Sequence, residues 1–458
     1  MIRRAFGLDK QNGRIDLFAL AGLVLIGCVL AIGLPVPVAA LLIAAAAGLA
    51  TLSPSAALGA TLAATPLIFR PIEVGSSSWS LLELALVAGA IGLAGRIGLE
   101  ILSTRSFEPI RAVLPATSII IGAVALILLA AFALTNLADA EHRDASVRAV
   151  RTIIVEPLVV LPLSMYVLRR GRIDIALGAL ASAMVISAGW GALGLATGLG
   201  VEADGIRRAV GPYTHPNNLA FFLERATLLT ALPAMLIPRY RRIGLVLFGI
   251  GIAGLLTTFS RGALLGFPAG LVVALWLAGR LRAIAGVVAG LLAAAGAFAL
   301  LAGDRLFDSG SDGSEPSRLV IWDGAERILR DFPLTGIGPD QFYVMYGLRY
   351  IEPVGWPERY TSHPHNLFLD FWLSLGIGGL AFAIVAVIWI GVRILKLRTP
   401  VITTDVQHLR PLALAGAATL TAGVVHGLVD NAFFLPDLAV LTWFAATLLV
   451  WRPIEAQR

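Results

Sequence analysis

Apolar runs follow one another from end to end of this chain of 458 residues. Most are long enough to cross a hydrocarbon core of about 30 Å at ~1.5 Å per helical residue. A chain that is 58% hydrophobic and only 14% charged is not an ordinary soluble protein. The pattern predicts an all-α, polytopic transmembrane helical bundle. Spans are expected near 16–34, 36–52, 55–69, 79–99, 113–135, 150–169 and 173–198. Others follow near 216–237, 243–259, 261–279, 281–302, 366–395, 410–428 and 432–451. The second and third are short and read equally as one broken or re-entrant unit, so about 12 to 14 crossings are expected. The lone cysteine, Cys28, lies in the first apolar run, which excludes an intramolecular disulfide and reads as a lipid-facing or packed residue.

The net charge of +6 could suggest nucleic acid as a partner, but the arginines cluster in short loops between apolar runs. That clustering is a topology signal. Arg3, Arg4, Lys10 and Arg14 place the N-terminus in the cytoplasm. Alternate loops then carry Arg105 and Arg111, Arg169 to Arg172, Arg239 to Arg242, Arg280 and Arg282, and finally Arg393, Lys396, Arg398 and Arg410. Both termini are thus expected in the cytoplasm, with no cleaved signal peptide. The long loop from Gly303 to Pro364, the tight turn Ser260-Arg261-Gly262 and the loop 201–217 with Arg208 and His215 fall together on the outer side. One integral membrane domain results, divided into helices over 1–302, a large outer loop with short helices over 303–365, and helices over 366–458.

Within the loop, RLVIWDGAERIL reads as an amphipathic helix after Pro316. At ~100° per residue, Ile321, Trp322, Ala325, Ile328 and Leu329 share one arc. Arg318 falls near the centre of that arc, away from Asp323, Glu326, Arg327 and Arg330. A guanidinium there either meets an anionic partner or snorkels from the first turn. Arg261 presents the same choice, as an interfacial anchor or as a planar fork for a phosphate. Spacing does not decide either case.

The stretch HPHNLFLDFWLSLGIGG, from His363 to Gly379, ends the polar loop and opens a very hydrophobic helix. His363 is a plausible N-cap, and His365 then lies in the first helical turn. Asn366, Asp370 and Ser374 recur at i+4 spacing and send a polar stripe into the membrane. A helix N-terminus favours neutral imidazole, the form a general base needs, although the pair also reads as interfacial capping residues. Two histidines with no carboxylate or cysteine cluster beside them give weak support for a metal, and none is expected. No P-loop, dinucleotide fingerprint or Asp-x-Asp pair suggests a soluble nucleotide cofactor.

The chain resembles the O-antigen ligase and O-antigen polymerase superfamily of bacterial envelope glycosyltransferases, most specifically over about residues 208–380. The ligases share a histidine–asparagine pair, nine residues and then a glycine, which here reads His365-Asn366, LFLDFWLSL, Gly376. An arginine at an outer helix end is matched by Arg261 in TFSRGALL, and one in the large outer loop by Arg318, ahead of Trp322. The run PYTHPNNLA at Pro212–Ala220 resembles the family's Asn-rich lead into the following span. The resemblance implies a GT-C-like enzyme of the bacterial plasma membrane. Such an enzyme moves a glycan from an undecaprenyl-diphosphate carrier to an acceptor hydroxyl, on a lipid or another glycan, at the outer face.

By the same resemblance Arg261 and Arg318 would bind the diphosphate, and His365 would be the general base of an inverting, metal-independent displacement. Asn366 and Asp370 would orient the imidazole or bind sugar hydroxyls, with His363 a reserve base. Asp430 at the last outer turn, Arg208 and His215 would line the cavity or act as caps and anchors. Ligase and polymerase would share one donor site, and the full histidine motif favours ligase. A transporter is the minor reading, supported by Glu224-Arg225 inside a span, a pair better read as structural and facing the bundle.

Overall fold

A computed structural model describes residues 10–74, 77–203, 206–301, 314–398 and 410–450. They form an all-α helical bundle. Its helices are α1 (Lys10–Leu30), α2 (Val36–Leu52), α3 (Pro54–Ala64), α4 (Leu81–Thr104), α5 (Thr117–Thr135) and α6 (Arg143–Arg170). They continue as α7 (Ile173–Ala196), α8 (Pro216–Leu236), α9 (Arg241–Thr257), α10 (Arg261–Leu277) and α11 (Leu281–Leu301). The remainder are α12 (Ser314–Asp331), α13 (Leu367–Lys396), α14 (Arg410–Gly427) and α15 (Pro436–Val450). Eight helices among the described residues are long and apolar enough to cross a membrane, and α2, α10, α15 and part of α11 are shorter apolar helices. The short second and third spans are separate helices, because Ser53 caps α3 through its side chain and Pro54 follows at the first helical position.

Two antiparallel hairpins interrupt the helices, β1 (Ile72–Val74) with β2 (Ser77–Trp79) and β3 (Val201–Ala203) with β4 (Ile206–Arg208). Each strand is three residues long, so the hairpins shape loops and leave the architecture helical.

Helix α8 forms the centre of the bundle and packs against α7, α9, α10, α14 and α15. Of its most apolar stretch, 83% is buried. Glu224 and Arg225 are sealed inside, but they do not pair directly as the sequence suggested. Neighbours on a helix point about 100° apart, so each finds its own partner. Glu224 Oε2 lies 3.1 Å from His426 Nδ1, and Arg225 donates to the Ala432 carbonyl at 2.7 Å. The tightest contact is α10 on α14. Gly262, Gly266 and Gly270 form one face of α10, and a Cβ on any of them would collide with His426, Ala422 or Ala418. This is close small-residue packing, which lets two apolar helices approach without a hydrophobic drive between them.

The polar loop before α13 is largely helical where described. Ile321, Ala325, Ile328 and Leu329 of α12 are buried with Phe342, Met345, Tyr346 and Leu373, so the expected apolar arc is the packed face. Residues 302–313 lie outside the described residues, and with them the start of the expected loop. The segment 334–337 docks on a break in α13 at Gly376, whose φ of 70° and ψ of −166° leave the helix. Ile337 donates to the Leu373 carbonyl at 2.7 Å, and Ile377 to the Leu334 carbonyl at 3.1 Å. Only glycine tolerates that backbone conformation, and a Cβ there would strike Leu334 and Thr335.

Candidate functional site

Five chain segments meet at one end of the bundle: the lead into α8, the α9–α10 turn, α12, the start of α13 and the α14–α15 turn. The sequence fixes each locally. Pro216 opens α8 behind the N-cap His215, Ser260 caps α10 at the Ala263 amide, and Asn431 accepts from the amides of Phe433 and Phe434 at the last turn.

Helix α13 starts later than its spacing predicts. Asn366 is the N-cap, its Oδ1 accepting from the amides of Phe368 at 3.0 Å and Leu369 at 3.1 Å. His365 therefore precedes the helix, with a left-handed φ of 50°, and His363 is not the cap. An amide side chain reaches two orphan N–H groups that an imidazole three residues earlier does not. A non-glycine residue held in the left-handed region costs roughly 1–3 kcal/mol, and surrounding contacts must hold it there. Trp322 supplies one of them, its indole N–H donating to the Pro364 carbonyl at 2.8 Å.

The buried side chain of Asp430 organises the histidine pair. Its Oδ1 lies 2.9 Å from His365 Nδ1 and 3.1 Å from His363 Nε2, and it also accepts from the Asn431 amide at 2.8 Å. Its Oδ2 accepts from Asn217 Nδ2 at 2.7 Å. Asn217 Oδ1 in turn accepts from Arg208, whose Nε donates to the Thr258 carbonyl, each at 2.8 Å. Burial alone would raise the pKa of Asp430. The bonds and charge of His363 and His365 outweigh it and hold this carboxyl well below the usual carboxylate range. A carboxylate only accepts, so the facing nitrogens carry the protons: Nδ1 in His365 and Nε2 in His363. In the neutral form of His365, Nε2 keeps its lone pair, and it makes no hydrogen bond among the described residues. Ser362 Oγ, 3.1 Å away, donates to the remaining nitrogen of His363.

The carboxylate that meets the imidazole is therefore Asp430, and neither Asn366 nor Asp370 is hydrogen-bonded to it. Asn366 is occupied by the helix cap and by the Leu428 carbonyl at 3.0 Å. Asp370 Oδ1 lies 3.4 Å from the Ser374 hydroxyl. The expectation that no carboxylate accompanies the histidine pair is also corrected, since Asp430 arrives from another turn 65 residues away. One ligand atom each from His363, His365 and Asp430 lies within 4.8 Å of the others, a donor set that a divalent transition metal accepts. Yet both imidazole nitrogens are aimed at a single carboxylate oxygen at hydrogen-bond distance, a geometry that orients protons.

These groups border a chamber of about 540 Å³. His215, His363, His365, Asp370 and Asp430 line it, whereas Arg208, Trp322 and Asn366 stand behind its wall. His215 sits at the edge, where desolvation lowers its pKa against the opposing pull of Asp430. The opposite wall is Ile337 to Asp340, pinned by Gln341, whose amide bonds the Asp139 backbone at 3.0 and 2.8 Å.

Neither Arg261 nor Arg318 lines the chamber. Arg261 opens α10, is half-buried and makes no hydrogen bond among the described residues. Its neighbour Gly262 lies against the His426 ring, one turn before Asp430. Arg318 is half-buried one turn before Trp322, whose indole backs the histidine segment. Asn217 was missed as a site residue. Its signal was present in PYTHPNNLA, where only the folded chain shows which asparagine reaches the carboxylate.

The sequence model of the O-antigen ligase family matches residues 245–384. That stretch carries Arg261, Arg318, Trp322, both histidines, Asn366 and Asp370. The match supports the O-antigen ligase superfamily, and the apolar helices fit a membrane enzyme of that superfamily. Asp430, Asn217 and Arg208 lie outside the matched region. No curated protein matches the chain.

Proposed function

We propose that this protein transfers a glycan from an undecaprenyl-diphosphate carrier to an acceptor hydroxyl at the outer face of the bacterial plasma membrane, in the manner of an O-antigen ligase. The observation that carries this reading is the Asp430–His365 pair. It fixes the imidazole tautomer with Nδ1–H toward the carboxylate and the basic Nε2 toward substrate. The acceptor oxygen attacks the anomeric carbon as its proton passes to His365 Nε2. The bond from that carbon to the carrier's phosphate oxygen breaks, and undecaprenyl diphosphate leaves with the bonding pair. Direct attack opposite the leaving group inverts the carbon.

Arg261 and Arg318 bind the diphosphate and stabilise its growing charge, a task suited to planar forks that stay protonated. Arg208, through Asn217, steadies the far oxygen of Asp430. The step needs neither nucleotide nor metal, and activity that falls with a chelator and returns with added metal would contradict this. The test supplies purified protein with carrier-linked glycan and a separate acceptor. Transfer to the acceptor alone is the ligase outcome, and a ladder of growing carrier-linked chains is the polymerase outcome. His365→Ala should lower transfer by about 10²–10⁴, the usual contribution of a general base. Full transfer by that variant would remove the assignment.

A further inference from the structure

The chamber in front of the histidine pair is chemically wrong for a diphosphate. Asp340, Glu358, Asp370 and Asp430 all face it, and no lysine or arginine is among its described lining residues. An anion placed there would lose water beside carboxylates, and the histidines nearest it, His363 and His365, are already held by Asp430. Asn218, Thr361, Tyr360 and Phe434 supply much of the rest of the wall. Carboxyl and amide oxygens accept from hydroxyls, and flat rings offer an apolar face to the C–H side of a pyranose. The volume is also within the range of small-molecule sites.

Asp370 adds an observation independent of that composition. It is only 5% exposed, yet its Oδ2 is buried without a hydrogen-bond partner in a residue that lines the chamber. Buried polar atoms are nearly always satisfied, so a donor belongs there. Asp430 differs, because both of its oxygens are engaged by protein groups.

We propose that this chamber binds the sugar bearing the acceptor hydroxyl, and that this sugar is an uncharged pyranose whose hydroxyl donates to Asp370 Oδ2. Acidic sugars bind less well. The inference rests on His365 as the base. The donor's anomeric carbon is bonded to the diphosphate and stays with Arg261 and Arg318, outside the chamber, so the chamber is left for the nucleophile.

The test gives the full chain a carrier-linked glycan and, separately, methyl β-glucopyranoside or methyl β-glucopyranosiduronic acid, acceptors that differ at C6 alone. Binding of each is followed by saturation-transfer NMR on the His365→Ala protein, which reports occupancy without turnover. The neutral glycoside should bind and be glycosylated at least about tenfold better than the uronide, the order of discrimination an unpaired charge produces. Asp370→Asn should raise the KM for the neutral acceptor several-fold, roughly as one lost hydrogen bond does, with the donor KM unchanged. Glu358→Gln with Asp340→Asn should narrow the discrimination, and this readout stands even if the Asp370 variant fails to fold. Equal use of both acceptors overturns the inference and leaves the transferase reading intact. Selective binding of the neutral glycoside with no transfer supports the sugar site and overturns the reaction. No binding and no transfer of either overturns both.

Discussion

At the scale of single residues, the site is built by one carboxylate. Asp430 fixes two imidazoles, and its depressed pKa carries a pH signature. A carboxyl whose folded pKa lies below its unfolded value of about 3.9 contributes stability above that value, and loses it as pH falls through the folded pKa. The thermal stability of wild type should therefore exceed that of Asp430→Asn at neutral pH, and the gap should close below about pH 4. A gap that persists undiminished into strong acid would contradict the lowered pKa of Asp430. Arg261 makes the second residue-scale prediction. Lysine keeps its charge but loses the fork, so Arg261→Lys should cost roughly tenfold to a hundredfold in transfer with folding unchanged. A wild-type rate would return Arg261 to an interfacial anchor.

At the scale of elements, glycines set the distances. Gly262 lets α10 lie against the His426 ring and so fixes the level of Arg261 at the bundle's end. Gly376 breaks α13 and receives the segment whose continuation, Ile337 to Asp340, walls the chamber. Gly376→Ala should destabilise the protein by about 2 kcal/mol or more and lower transfer, because alanine must adopt a backbone reserved for glycine. Thermal unfolding and transfer assays check this together, and a neutral result in both would show that the break is not required. This glycine was visible in the sequence as part of the histidine motif. Its reason was not, because a period of apolar residues continues through the break. The late start of α13 was hidden for a similar reason: three polar residues stood at the boundary, and only capping geometry chooses Asn366 among them.

At the scale of the whole molecule, the apolar runs carried the all-α architecture, while the short second and third spans, equally open to one broken unit by length, are divided by the Ser53 cap. The amphipathic phase of α12 was readable as well, since its arc is the face that packs. Long-range pairing was less legible. Asp430 was readable as a group near the cavity, but its bond to His365 crosses 65 residues and leaves no periodic trace. Glu224 and Arg225 misled in the same way: adjacency in sequence suggested a pair, while the fold gave Glu224 a histidine from α14. The separation of Arg261 and Arg318 from the acidic chamber is likewise a product of folding.

If Asp430 and His365 act as one unit, a double-mutant comparison of transfer rates with purified carrier-linked glycan and acceptor will show it. Residues acting through one another are strongly non-additive, so His365→Ala combined with Asp430→Asn should be no slower than His365→Ala alone. Losses that multiply in the double variant would contradict the claim, and would assign Asp430 a role apart from the histidine.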